Sequence, residues 1–230
     1  MSRRIKTNKT DVDFWKESIH TKLSYTMAIL AFSIQFFIGI RHIETLFGQL
    51  SILESMFALS GILVLDLIHG KRAIYPKEFK PVHKNLFIRF SIIFGVIALI
   101  QYIFQYVPIT ISDAERALAI IFAGVSEEML FRGIMMEPFF KAGINDEKLH
   151  LWGNRWISYM EIFGILISGT IFAIFHFSYY DNLGLGLMVI VGGFWLGFSY
   201  WYWKDITAVI IAHILLNVIF VLQTYWMVVL

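Results

Sequence analysis

The stretch ALAIIFAGVSEEMLFRGIMMEPFF, residues 117–140, is long and apolar enough to cross a bilayer, yet it carries Glu127, Glu128 and Arg132 near its middle. A span through hydrocarbon needs about 20 mostly apolar residues. An ionisable side chain near the bilayer centre costs at least about 2.5–3.5 kcal/mol, so such groups face a protein interior or a wet cavity. The stretch predicts a helix of a membrane protein with a polar interior.

Reading outward on the same scale gives seven candidate spans: about 23–40, 46–69, 86–107, 117–140, 160–180, 185–203 and 206–229. The expected fold class is all-α, a polytopic transmembrane helix bundle of about seven to eight helices. Its organisation is a basic cytoplasmic tail (1–22) followed by a single transmembrane domain (23–230) whose polar core lies at about 117–230. Composition agrees: the chain is 58% hydrophobic and only 16% charged, against about 45–50% and 25% for soluble domains. A net charge of +2 gives no footing for nucleic acid, and the absence of cysteine excludes disulfides, thiolate nucleophiles and thiolate metal sites. The first apolar run is too long for a signal-peptide core, so a retained first helix is expected.

Lys and Arg set the orientation. With the N-terminus inside, fifteen of them fall in cytoplasmic segments and only Arg41 and Arg116 fall opposite, with Arg89 and Arg132 left inside spans. The expected location is the cell membrane, multi-pass, with a cytoplasmic N-terminus. Phe14 and Trp15 in the basic tail suggest an interfacial helix, and Arg89 is expected to snorkel.

Three spans bring chemistry. Glu128 and Arg132, four residues apart, share a helical face and can pair, whereas Glu127 points about 100° away and is left for another task. F-A-I-F-H places Phe172 and His176 on one face of the fifth span, and H-I-L-L-N does the same for His213 and Asn217 in the last. Each pair alone reads as packing or interhelical hydrogen bonding. Together a carboxylate, two imidazoles and an amide form a kit for general-base chemistry and oxyanion stabilisation.

The ordered set E-E-x-x-x-R, F-x-x-x-H and H-x-x-x-N on three hydrophobic segments resembles the CAAX protease and bacteriocin-processing enzyme family of intramembrane endopeptidases, which includes the type II CAAX prenyl endopeptidases. The likeness runs from Glu127 to Asn217. It implies an intramembrane endopeptidase acting on membrane-associated or lipidated peptides or proteins. Glu127 and His176 would activate water, His213 and Asn217 would hold the oxyanion, and Glu128, Arg132 and Phe172 would support them. It implies a peptide or membrane-protein substrate within the lipid bilayer. No cofactor is required by this reading, although Glu127, His176 and His213 could hold a divalent metal such as zinc with an open fourth position. The spacing lacks the paired histidines of H-E-x-x-H, which favours a metal-free glutamate mechanism. The alternatives are a non-catalytic membrane scaffold and a proton-coupled carrier using the same polar cavity.

One tension stands in the sequence. Counted at 1.5 Å per residue, His176 lies about 27 Å along its helix from Ser158, and His213 only about 10 Å from Ile206. They meet only if the fifth helix overhangs the membrane or the last two are displaced. Because the family usually has about eight helices, a short or interfacial segment is expected in 1–20 or 141–156.

Overall fold

The computed structural model describes residues 85–104, 114–143, 146–151, 155–176 and 183–229, together with short helical pieces within 33–41 and 52–53. Most of spans one and two, and the basic tail, therefore lie outside the described residues. The rest is mostly helical: α1 (Leu86–Phe104), α2 (Ala114–Glu128), a π-helical turn (Met129–Met135), α3 (Glu137–Ala142), α4 (Tyr159–Phe175), α5 (Leu183–Trp203) and α6 (Ile206–Val229). Three of these, α1, α5 and residues 206–223 of α6, are long and apolar enough to cross a membrane. At 17 residues, α4 is shorter.

The expectation of an all-helical bundle needs one correction. A two-stranded antiparallel hairpin, β1 (Lys148–His150) and β2 (Trp156–Ser158), fills the connection before α4. It pairs Lys148 with Ser158, Leu149 with Ile157 and His150 with Trp156. Within 141–156 the described residues after α3 thus hold strand rather than an extra helix, and the other expected place for one, 1–20, lies outside the described residues. Ser158 then starts α4. Its hydroxyl accepts from the Glu161 N–H while the Glu161 carboxylate accepts from the Ser158 N–H, a capping box that satisfies two orphan donors.

Hydrogen bonds and ion pairs tie α1 to the last two helices. The guanidinium of Arg89 pairs with Asp205 at 2.8 Å, and the Trp195 indole donates to the Ile93 carbonyl. Arg89 is therefore an interhelical tether, where snorkelling was expected. Asp205 also accepts from the Ala208 N–H, capping α6. At the preceding residue the chain turns through Lys204, whose φ of 49° lets α5 and α6 meet with almost no loop. Beyond that link α5 and α6 touch little, and α1 packs against both. α4 packs on α5 while α2 packs on α6, and His176 and His213 meet at Glu127 between the two pairs.

Candidate active site

Glu127 and Glu128 are the last two polar residues before the helix changes pitch. The turn from Met129 to Met135 is π-helical, a form that appears mostly as single turns at functional sites. A π turn displaces the i→i−4 ladder, and a hydroxyl from another helix supplies a partner: Ser168 on α4, fully buried, donates to the Phe131 carbonyl at 2.8 Å. Arg132, also fully buried, reaches across to donate to the Gly193 carbonyl of α5 at 2.8 Å. Two hydrogen bonds thus pin the π turn to two different helices.

The expected pairing of Glu128 with Arg132 is present, with Nε 3.1 Å from Oε2 and both side chains inaccessible. The other oxygen of Glu128 accepts from Nδ1 of His213 at 2.7 Å. That contact was not foreseen from the motifs. Spacing alone pairs Glu128 with its own helix, and only the antiparallel packing of α2 on α6 brings His213 opposite. Close packing is made possible at Gly124, where an added Cβ would meet the backbone of Ile214 at 3.1 Å.

Glu127 takes the second direction, as the 100° offset predicts. Its Oε1 lies 3.7 Å from Nε2 of His176, and its Oε2 lies 3.5 Å from Nε2 of His213. At the far side of each ring, Nδ1 is committed. His176 Nδ1 sits 2.8 Å from the Phe172 carbonyl, which can only accept, so this nitrogen carries the proton. Both Nε2 atoms therefore converge on one carboxylate from two helices, each within 3.7 Å of an oxygen of Glu127. Glu127 Oε2 is buried and has no hydrogen-bond partner among the described residues, so its lone pairs are unclaimed.

Phe172 is the floor of this cluster. Its ring lies against His176 at 4.5 Å between centroids, edge-on to His213 at 5.9 Å and to Phe131 at 5.3 Å, and beneath the Arg132 guanidinium at 4.6 Å. Aromatic packing of this kind orients the rings above it and adds cation–π attraction for a desolvated guanidinium. Gly193 faces it so closely that a Cβ there would stand 2.8 Å from Phe172 Cδ1. Gly193→Ala is accordingly expected to destabilise the protein by about 1–3 kcal/mol, the cost of overpacking. Denaturant titration in detergent would measure it, and an unchanged midpoint would show that Phe172 can yield.

Glu127, His176 and His213 are thus brought together. Asn217, one turn beyond His213 on α6, donates to the Ile120 carbonyl on α2 at 2.7 Å. One of its two amide N–H groups is engaged there, so the bond also fastens α6 to α2. Among the described residues, no set of three His, Asp or Glu side chains has the geometry of a metal-ligand group.

A model of the family described as Type II CAAX prenyl endopeptidase Rce1-like matches residues 114–219. The match opens at α2 and closes two residues past Asn217, so it contains every residue of the cluster. Neither the curated proteins nor the solved structures gave a match.

Proposed function

Because residues 114–219 place this chain in the CAAX protease family, we propose that it is an intramembrane endopeptidase that hydrolyses membrane-associated or lipidated peptides with a glutamate-activated water. The observation that carries this is the convergence of two imidazole Nε2 atoms, from α4 and α6, on the carboxylate of Glu127.

A water held by Glu127 donates to the buried carboxylate oxygen that has no other partner among the described residues. His176, with its proton on Nδ1, offers the Nε2 lone pair to the same water and orients it. As the water oxygen attacks the scissile carbonyl carbon, Glu127 takes its proton. The carbonyl oxygen becomes an oxyanion and accepts from His213 Nε2–H and from the Asn217 amide. When the C–N bond breaks, the proton on Glu127 passes to the departing amine, which restores the carboxylate.

Charge balance supports a protonated His213. Two carboxylates and one guanidinium share this buried cluster, and an uncompensated buried charge is costly. A proton on the His213 ring makes the sum zero, with Nδ1–H donated to Glu128 and Nε2–H left to donate into the cavity. Glu128 and Arg132 then act through His213 and the helix pitch. A divalent metal held by Glu127, His176 and His213 would require His213 to be neutral with its Nε2 lone pair free, and would supply Lewis-acid activation of the water in place of this charge balance.

The test is hydrolysis by the purified, reconstituted protein in ¹⁸O water, with membrane peptides from its own host as substrates. One ¹⁸O in a newly formed carboxylate is the expected result. No new carboxylate across that peptidome would favour a scaffold or carrier. Adding a chelator distinguishes the metal-free route, which should be unaffected. Asn217→Ala in the same assay is expected to lose about 10²–10³-fold in turnover as an oxyanion donor is removed. A loss that instead followed protein abundance would assign Asn217 only to its bond with Ile120.

A further inference from the structure

Gly164, Ser168, Phe172 and His176 follow one another at four-residue steps along α4 and its C-cap. Each meets the segment that runs from Glu127 through the π turn into α3, and the order of meeting is antiparallel. His176 faces Glu127, with Nε2 3.7 Å from Oε1. Phe172 lies edge-on to Phe131, and Ser168 donates to the Phe131 carbonyl at 2.8 Å. Gly164 backs onto Phe139 so closely that an added Cβ would stand 2.8 Å from the Phe139 Cβ. The stripe that ends in a site histidine thus also carries the hydroxyl that reaches the π turn.

Packing alone does not call for a hydroxyl at this position. Alanine is the better helix former, and a hydroxyl sealed from water costs free energy unless it is bonded. Serines inside helices commonly give that bond to a carbonyl of their own preceding turn. Ser168, fully buried, gives it instead to the third residue of the π turn Met129–Met135. Hydrogen bonds in such a turn run i→i+5, so it takes up one residue more than an α turn. One residue is worth about 100° of rotation, and that rotation is inserted between Glu127 and α3. Were the turn to tighten to α pitch while Arg132 kept its hold on Gly193, Glu127 would swing away from the nitrogens of His176 and His213.

We infer that Ser168 is a positioning residue: its hydroxyl holds the π turn open and so aims the Glu127 carboxylate between His176 and His213. It acts through the backbone of Phe131. The inference rests on the endopeptidase reading for what Glu127 does there, and on geometry for how Glu127 is held.

The chain has no cysteine, so a pair of spin labels can be placed without background. Full-length protein carrying Leu118→Cys on α2 and Ile174→Cys on α4, exposed by 48% and 59%, is labelled and reconstituted in lipid. Double electron–electron resonance then reads the separation of the labels. Adding Ser168→Ala should shift it by about 5 Å, because a side chain rides about that far from the helix axis and turns with the helix. Ser168→Thr, which returns the hydroxyl, should restore the separation. An unchanged separation with alanine would show that the turn keeps its pitch without the bond, and would overturn the inference. A threonine protein indistinguishable from alanine would do the same, since the hydroxyl would then not be what holds the turn. In parallel, single-turnover hydrolysis by unlabelled Ser168→Ala protein should slow by about 10²-fold with KM little changed, the penalty for a reacting group misplaced by about an ångström. A separation that moves while the rate holds would also overturn the inference. Because the separation is read without substrate, it decides the role of the bond even if the unaltered protein cleaves nothing, a result that would remove the endopeptidase reading alone.

Discussion

Glu127→Gln should leave a folded protein whose turnover has fallen by about 10²–10⁴-fold, the usual contribution of a general acid–base group. The substitution keeps shape and removes basicity. Glu127 sits 3.5–3.7 Å from two imidazole Nε2 atoms, and the new amide can still donate to the ring of His176, so the cluster gains a hydrogen bond as it loses its base. Folding should survive for that reason, and melting in detergent should stay close to that of the unaltered protein. Single-turnover rates on a cleavable membrane peptide separate the chemical step from binding, and the loss should lie in the chemical step with KM little changed. Cleavage at the unaltered rate would withdraw the base from Glu127 while leaving His176 as the candidate. Collapse of the fold would show the carboxylate to be structural.

The sequence revealed more of the site than of the fold. Glu127, Glu128 and Arg132 stand out in an apolar run because charge in lipid is costly, and four-residue spacing is enough to pair Glu128 with Arg132, as found. The same reasoning separates Glu127 from Glu128: Glu128 pairs with Arg132, while Glu127 faces His176, and the two carboxylates meet opposite nitrogens of one shared ring, His213. Spacing could not reveal contacts made across helices. Glu128 with His213, Ser168 with Phe131 and Arg132 with Gly193 depend on which helices pack together and at what rotation. The pitch change at Met129–Met135 was equally hidden, since a π turn has the composition of any apolar helix.

Elsewhere the limits come from scale. A twenty-residue window finds α1, α5 and α6, whose apolar runs match a bilayer. It blurs the 141–156 connection, where three-residue strands are too short for alternation to be read and the exposed Trp156 and Leu149 look like span ends. Arg89 was assigned to the interface for its position near a span end, yet Asp205, 116 residues away, takes its charge. The seven-span count and the cytoplasmic N-terminus remain proposals. They rest on the distribution of Lys and Arg and on segments most of which precede residue 85.

Arg132→Ala should cost about 3–5 kcal/mol of stability, the penalty for removing one partner of a buried ion pair. The guanidinium has no accessible surface, contacts Glu128 at 3.1 Å, donates to the Gly193 carbonyl and lies over Phe172. Truncation therefore strips Glu128 of its cation, leaves a carbonyl in α5 without its donor and opens a void over the aromatic floor. Two negative charges then face one another across His213, with that ring as their only counterion. Arg132→Lys separates these losses. It restores the charge beside Glu128, but a single ammonium on a shorter reach cannot hold both Glu128 and Gly193 as the planar fork does. Stability should recover in part, and turnover less, because the π turn would remain untied from α5. Unfolding by denaturing detergent, followed with intrinsic tryptophan fluorescence, gives the order expected: unaltered protein, then lysine, then alanine. A well-folded and fully active Arg132→Ala protein would show that Glu128 is compensated by His213 alone. The charge balance that protonates His213 would then have to be redrawn.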